Sequence, residues 1–131
     1  MIDHVSSYTT QYPMSRAFYD AVLGELGVEI QTESVMEADE NFPNRRICAW
    51  GPPGKGVFWI IEVKRAIDPR HLAFAAPNRS SVDRFHAAGL AAGGVDHGAP
   101  GLRPIYHANY YGAFLLDPDG NNVEAVCHLP S

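Results

Sequence analysis

Only two cysteines occur in the chain, Cys48 and Cys127, too few for a disulfide framework or a cysteine-based zinc site. Each sits in an apolar run that reads as a strand, so both are expected as buried thiols. No run of Lys or Arg exceeds the pairs Arg45-Arg46 and Lys64-Arg65, and 15 acidic against 10 basic residues leave a net charge of −5. That balance excludes nucleic acid and anionic membrane as natural partners. No apolar stretch approaches the ~20 residues a spanning helix needs. The opening MIDHVSSYTT lacks the basic region and long apolar core of a signal peptide, so the expectation is a soluble, cytoplasmic protein. Charged side chains are only 19% against 46% hydrophobic, which excludes disorder as a description of the whole chain. The 131 residues fit one domain, residues 1–131, and leave little length for a second.

Histidine, by contrast, is plentiful: His4, His71, His86, His97, His107 and His128. Laying the sequence on itself at an offset of 67 residues aligns His4 with His71, Phe18 with Phe85, Ala21 with Ala88, Leu23 with Leu90, Gly27 with Gly94 and Val28 with Val95. The offset is about half the chain, so the chain reads as two copies of one supersecondary unit, about 1–66 and 67–131. In the first copy, Ile2 to Thr9 reads as a strand and Pro13 opens a helix that Gly24 ends. Strands follow over Val28–Val35, Arg45–Trp50 and Val57–Val63, the last two joined by GPPGKG. In the second copy, His71–Ala76 is a strand and Ser80 is the expected helix cap, with Val82, Phe85 and Ala88 on one face. A short strand near Val95 precedes an expected loop from Ala99 to Tyr111, then Ala113–Leu116 and Asn122–His128 are strands joined by DPDG. The fold class is α+β: two tandem β-α-β-β-β modules whose sheets form an open concave barrel with the helices outside.

Alternate residues of a strand share a face, which sets His71 with Ala73 and Ala75, opposite Leu72 and Phe74. Glu124 shares a face with Val126 and His128, opposite the small apolar set Val123, Ala125 and Cys127. Burying a lone carboxylate there is costly unless it is paired or metal-bound. His4, His71 and Glu124 therefore form a candidate two-histidine, one-carboxylate metal site with open positions, suited to Fe, Mn, Zn, Ni or Co in the divalent state. His107 is a candidate general base, against its reading as a surface loop histidine. Tyr106, Tyr110 and Tyr111 are candidates to supply a phenol, or to pack the barrel mouth or a dimer contact. Arg103 is a candidate contact for an anionic substrate, and Phe58 and Trp59 for the apolar wall of a pocket. His86, His97 and His128 read as ordinary residues.

The segments IDHV, SRAFYDAVLGELG, HLAF and LLDPDGNNVEAV resemble the vicinal oxygen chelate superfamily, which includes glyoxalase I, extradiol dioxygenases and the fosfomycin and bleomycin resistance proteins. The resemblance spans nearly the whole chain, and the DPDG turn followed four residues later by Glu124 is its most specific part. It implies a divalent metal on His4, His71 and Glu124, a small-molecule substrate chelated through adjacent oxygens, and a homodimer. Aligning GPPG with DPDG pairs Glu124 with Phe58, so the first copy lacks the fourth ligand of glyoxalase I. Glu62 lies ~13 Å further along that strand face at 3.3 Å per residue. The stretch from Ile105 to Glu124 resembles the extradiol pattern, with His107 matched but Phe114 at the tyrosine position. The functions expected are a metal-dependent lyase, isomerase or dioxygenase step or, alternatively, metal-free sequestration of a small aromatic or planar compound.

Overall fold

A computed structural model describes residues Met1–Ser131. The first module runs β1 (Val5–Thr9), α1 (Tyr12–Gly24), β2 (Glu29–Met36), β3 (Arg45–Gly51) and β4 (Phe58–Glu62). The second repeats the order with β5 (His71–Ala75), α2 (Arg79–Ala91), β6 (Val95–Leu102), β7 (Tyr111–Leu116) and β8 (Asn122–Cys127). The two four-stranded sheets have the same topology, β1-β4-β3-β2 and β5-β8-β7-β6, with one parallel pair at the edge and antiparallel pairs elsewhere. They are curved, separate sheets and not a closed barrel.

Helix α1 buries Tyr12, Ser15, Phe18, Tyr19, Val22 and Leu23, the stripe expected of a helix with one face on a core. Helix α2 buries Val82 and Phe85 likewise. Its cap is Asn78 and not Ser80: the Asn78 side chain accepts the Ser81 N–H at 2.8 Å. Ser80 lies inside the helix, where its hydroxyl accepts from Arg84 at 2.6 Å. Strand β6 is also longer than its sequence suggests. Register shifts around Gly98 let it bend and continue to Leu102, so residues 99–102 belong to the sheet and the loop is confined to 103–110.

One hydrophobic core serves both modules. Phe18 and Phe85, equivalent by the 67-residue offset, are both fully buried in it, as are Trp50, Ile60, Leu115 and Val123. Each such side chain stabilises the fold by roughly 1.5–3 kcal/mol relative to exposure. The helices meet at Val22 and Gly89, which are also related by that offset. A Cβ on Gly89 would stand 3.0 Å from Val22 Cγ1 and 2.2 Å from Leu115 Cδ1, so only glycine lets α2 approach this closely.

The DPDG turn fastens the modules together. Asp117 is buried and accepts the N–H groups of Asp119 and Asn121, each at 2.9 Å, the Asn121 side-chain amide at 2.8 Å, and the Tyr19 hydroxyl. Burial, then the Asp117 charge and its hydrogen bond, raise the Tyr19 pKa well above that of an ordinary phenol. Asp119 reaches across to the first module, accepting from the Thr10 N–H at 2.9 Å and from the Ser15 hydroxyl at 3.0 Å.

Candidate functional site

Strands β5 and β8 run parallel with His71 opposite Asn122 and Ala73 opposite Glu124. Leu72 and Phe74 pack against the core, and Val123, Ala125 and Cys127 lie in it. That leaves His71 and Glu124 on the other, concave face, as the strand parity requires. The carboxylate is nevertheless buried, with 2% of its surface exposed, and no Lys or Arg pairs with it. Its Oε2 lies 3.2 Å from His71 Nε2, and its Oε1 accepts a hydrogen bond from Tyr110.

The tautomer of His71 follows from its other nitrogen. Nδ1 lies 3.1 Å from the Asn122 carbonyl, which can only accept, so Nδ1 carries a proton and a neutral ring turns the lone pair of Nε2 toward Glu124. Two lone pairs then face one point. Either an imidazolium proton or a cation held between them resolves that geometry, and the backbone bond to Nδ1 is the kind that orients metal-ligating histidines. His71 and Glu124 thus present two of the donors a divalent ion would need.

Three further residues surround this pair. Phe114 stacks on the His71 ring, with centroids 6.4 Å apart, and the Arg103 guanidinium lies 5.5 Å from the other end of this stack, over the Phe114 ring. Gly112 makes room for the Tyr110–Glu124 contact, since a Cβ there would stand 3.2 Å from Tyr110 Cε1 and 3.3 Å from Glu124 Oε1. Burial, then the bond to Glu124, push the Tyr110 phenol up to about 12.

The loop over the site is an aromatic cluster. Tyr110 packs edge-on to His107 and His128 and against the exposed Tyr106. His107 Nδ1 accepts the Asn109 N–H at 3.1 Å, so a neutral His107 carries its proton on Nε2 and donates it to His128 Nδ1 at 2.8 Å. Neither nitrogen of His107 keeps a free lone pair. His128, read from sequence as an ordinary residue, is its partner, and sharing a strand face with Glu124 was the signal that could have found it.

Other expected site residues lie elsewhere. Tyr111 is on the opposite parity of β7: it packs on the core and donates to Asp83 of α2 at 2.6 Å, leaving the site to Tyr110. Arg103 donates to the Gly101 and Ala99 carbonyls at 2.9 and 2.7 Å, which holds its guanidinium over Phe114. Phe58 is not on the concave face beside Glu124, but it does line an apolar cavity between the modules, as a pocket-wall residue should. The strand registers, Ser6 opposite Trp59 and Ala73 opposite Glu124, put Trp59 at the position equivalent to Glu124, one residue from the Phe58 expected by matching turns. Glu62 is held by Arg46 at 2.5 Å. His4 lies just before β1, bonded at Nδ1 to Asp3, and no three His, Cys, Asp or Glu side chains converge within the chain to hold a metal.

The sequence matches the model of the Glyoxalase/Bleomycin resistance protein/Dioxygenase superfamily over residues 1–125. The chain belongs to this superfamily. No curated protein matches it. Among solved structures, a glyoxalase/bleomycin resistance protein from Albidiferax ferrireducens T118 is 31% identical, with 97% of this chain and 98% of that one covered and a TM-score of 0.74. A superfamily enzyme from Burkholderia phytofirmans PsJN shares the fold at 20% identity and a TM-score of 0.64, with 98% of each chain covered. So does the fosfomycin resistance protein FosX of Listeria monocytogenes, solved with Mn(II) and 1S,2S-dihydroxypropylphosphonic acid, at 16% identity and a TM-score of 0.67, covering 96% of this chain and 90% of that one. In this superfamily member the two modules share the glyoxalase-like architecture, and the first carries Trp59 where the second carries Glu124.

Proposed function

We propose that the protein is a divalent-metal-dependent enzyme of the glyoxalase or dioxygenase type, acting on a small substrate through two adjacent oxygens. The observation that carries this reading is the convergence of His71 Nε2 and buried Glu124 Oε2 at 3.2 Å with no Lys or Arg beside them. His71 and Glu124 would hold the ion, and His4 of a second copy in a homodimer would complete the set, since His4 and His71 stand at repeat-equivalent positions but do not meet in one chain. Bound there, the ion would supply Lewis acidity, lowering the pKa of a chelated hydroxyl or water and stabilising enolate or alkoxide charge. FosX, solved with Mn(II) and a molecule bearing adjacent hydroxyls, supports the reading by analogy of fold.

The chain's own groups divide the remaining work. The Tyr110 hydroxyl fixes the Glu124 carboxylate, and Phe114 fixes the plane of His71. For His107 to take a proton as general base, its Asn109 or His128 bond must break. Tyr110 is the phenol that touches Glu124. Thermal melting with and without Mn(II), Zn(II), Ni(II), Co(II) and Fe(II), alongside elemental analysis of the purified protein, tests the proposal. A higher Tm with at least one ion is expected; no bound metal and no shift with any ion would end it.

A second reading rests on Trp59 at the position of the fourth ligand. An indole there suits metal-free sequestration of a planar compound. In that case His71→Ala and Glu124→Ala leave ligand affinity unchanged, whereas the enzyme reading requires large losses.

A further inference from the structure

Residues 103–110 join β6 to β7 as a largely exposed loop, with Ile105 86% and Tyr106 62% exposed. Little apolar burial anchors such a segment, so its hydrogen bonds set its position. Inside the loop, the Asn109 N–H donates to His107 Nδ1 at 3.1 Å and the Tyr110 N–H donates to the His107 carbonyl at 3.2 Å. Two bonds tie the loop to residues 122–128: His107 Nε2–H donates to His128 Nδ1 at 2.8 Å, and the Tyr110 hydroxyl donates to Glu124. The Tyr110 ring lies edge-on to both imidazoles, so the two ties are neighbours.

The neutral pair has no place for another proton. Each ring has one lone pair, and both are taken: Asn109 fills that of His107 Nδ1, and His107 fills that of His128 Nδ1. An imidazolium carries N–H on both nitrogens and accepts nothing. A proton on His107 therefore sets Nδ1–H against the Asn109 N–H. A proton on His128 sets Nδ1–H against the His107 Nε2–H, unless His107 shifts its own proton to Nδ1, again against Asn109. Every singly protonated state breaks one of the two bonds. No carboxylate bonds to either ring to hold an imidazolium in place, since the carboxylate-paired histidines are His4, His71 and His86. The other titratable or charged groups nearby are Tyr106 and Tyr110 of the loop, Arg103 at its base, Glu124 of β8 behind Tyr110, and Arg79 of α2 on the Leu129 carbonyl.

We infer that His128 is a positioning residue: through His107 it latches the loop that seats Tyr110 on Glu124, and a proton taken up by the His107–His128 pair from solvent releases that latch. Closed, the loop keeps the carboxylate aimed at His71. Opened, it leaves Glu124 without its phenol donor, and the site loosens in the pH range where imidazoles titrate. The consequence for metal binding rests on the function proposed above, whereas the latch itself is a property of the metal-free chain.

NMR hydrogen exchange on the full-length, metal-free protein, corrected for intrinsic rates, tests the latch at the Asn109 and Tyr110 amides. Their protection should fall roughly 10-fold or more between pH 7.5 and pH 5.0, because uptake of one proton changes an equilibrium about tenfold per pH unit. The amides of β8 should keep theirs. His128→Ala should show the low protection already at pH 7.5 and lose the pH dependence; His71, which also faces Glu124, is intact in that variant, so the dependence it loses belongs to the pair. His128→Asn places Oδ1 where His128 Nδ1 accepts and should restore protection at pH 7.5. Equal protection at both pH values, loss shared by the β8 amides, a His128→Ala variant that behaves as the parent, or no restoration by His128→Asn overturns the inference. In a parallel Mn(II) titration at pH 7.5, His128→Ala should bind roughly 5- to 10-fold more weakly than the parent, the worth of one hydrogen bond, and His128→Asn should recover. A parent that binds no Mn(II) counts against the proposed function, and hydrogen exchange still decides the latch.

Discussion

The Tyr110 hydroxyl donates to Glu124 Oε1 while the other oxygen of the same carboxylate faces His71 Nε2 at 3.2 Å. One loop residue therefore sets the aim of the buried carboxylate. Tyr110→Phe keeps the ring packed on His107 and His128 but leaves a buried oxygen without its donor. The expected cost is about 1–3 kcal/mol of stability in the metal-free protein by denaturant unfolding. Loss of such an outer partner should also weaken divalent-metal binding by roughly 10- to 100-fold in a metal titration. A variant as stable as the parent, with unchanged metal affinity, would show that the contact orients nothing.

The turn from Asp117 to Gly120 is a fastening as much as a family signature. Asp117→Ala strands four donors, among them the buried Tyr19 hydroxyl and the Asn121 N–H. A loss of about 3–5 kcal/mol is expected, enough to leave much of a marginal domain unfolded. Asp119→Ala, which breaks the exposed and half-buried bonds to Thr10 and Ser15, should cost less, about 1–2 kcal/mol. Urea midpoints for the two variants check the order.

At the helix crossing, Gly89→Val should destabilise the protein by about 1–3 kcal/mol or more, because the new methyl groups must displace the buried Leu115 and Val22. Leu115→Ala in the same background relieves the clash, so the double variant should lose less than the sum of the two single changes. Additive losses would contradict this crossing.

Alkaline pH offers a test of the core. Burial, then the nearby Glu33 charge, push the Cys48 thiol from 9.0 up to about 11. The folded state keeps a proton that the unfolded state gives up, so this contribution is fully present below pH 9.0 and is lost as pH rises toward 11. Chemical unfolding from pH 8 to 11 should show falling stability, and Cys48→Val should flatten part of the slope. Tyr12, Tyr19, Tyr110 and Tyr111, whose phenols are also raised, add to the loss above pH 10.

Much of this architecture is legible in the sequence because it is doubled. The offset that pairs Phe18 with Phe85 recovers both modules, and strand parity alone turns His71 and Glu124 to one face and Leu72 and Val123 to the other. What escapes is one-residue register. Tyr110 and Tyr111 are neighbours with opposite destinies, fixed by where β7 begins, and Phe58 and Trp59 exchange roles because matching GPPG to DPDG is one residue out: Ala49 and Trp59 pair across their turn with the same spacing as Phe114 and Glu124. Asn78 takes the cap from Ser80 because its side chain reaches the Ser81 N–H from outside the first turn. The His107–His128 pair joins residues 21 apart across a loop, a contact no periodicity encodes.

His71 and Glu124 are proposed to hold a divalent ion that His4 of a second copy completes. A crystal structure of protein grown with Mn(II) or Zn(II), with anomalous data at the metal edge, tests it most directly. A peak about 2.0–2.2 Å from His71 Nε2, Glu124 Oε2 and a nitrogen of His4 from the second copy is expected. Empty density there, with His71 still bonded straight to Glu124 and His4 still on Asp3, would contradict it.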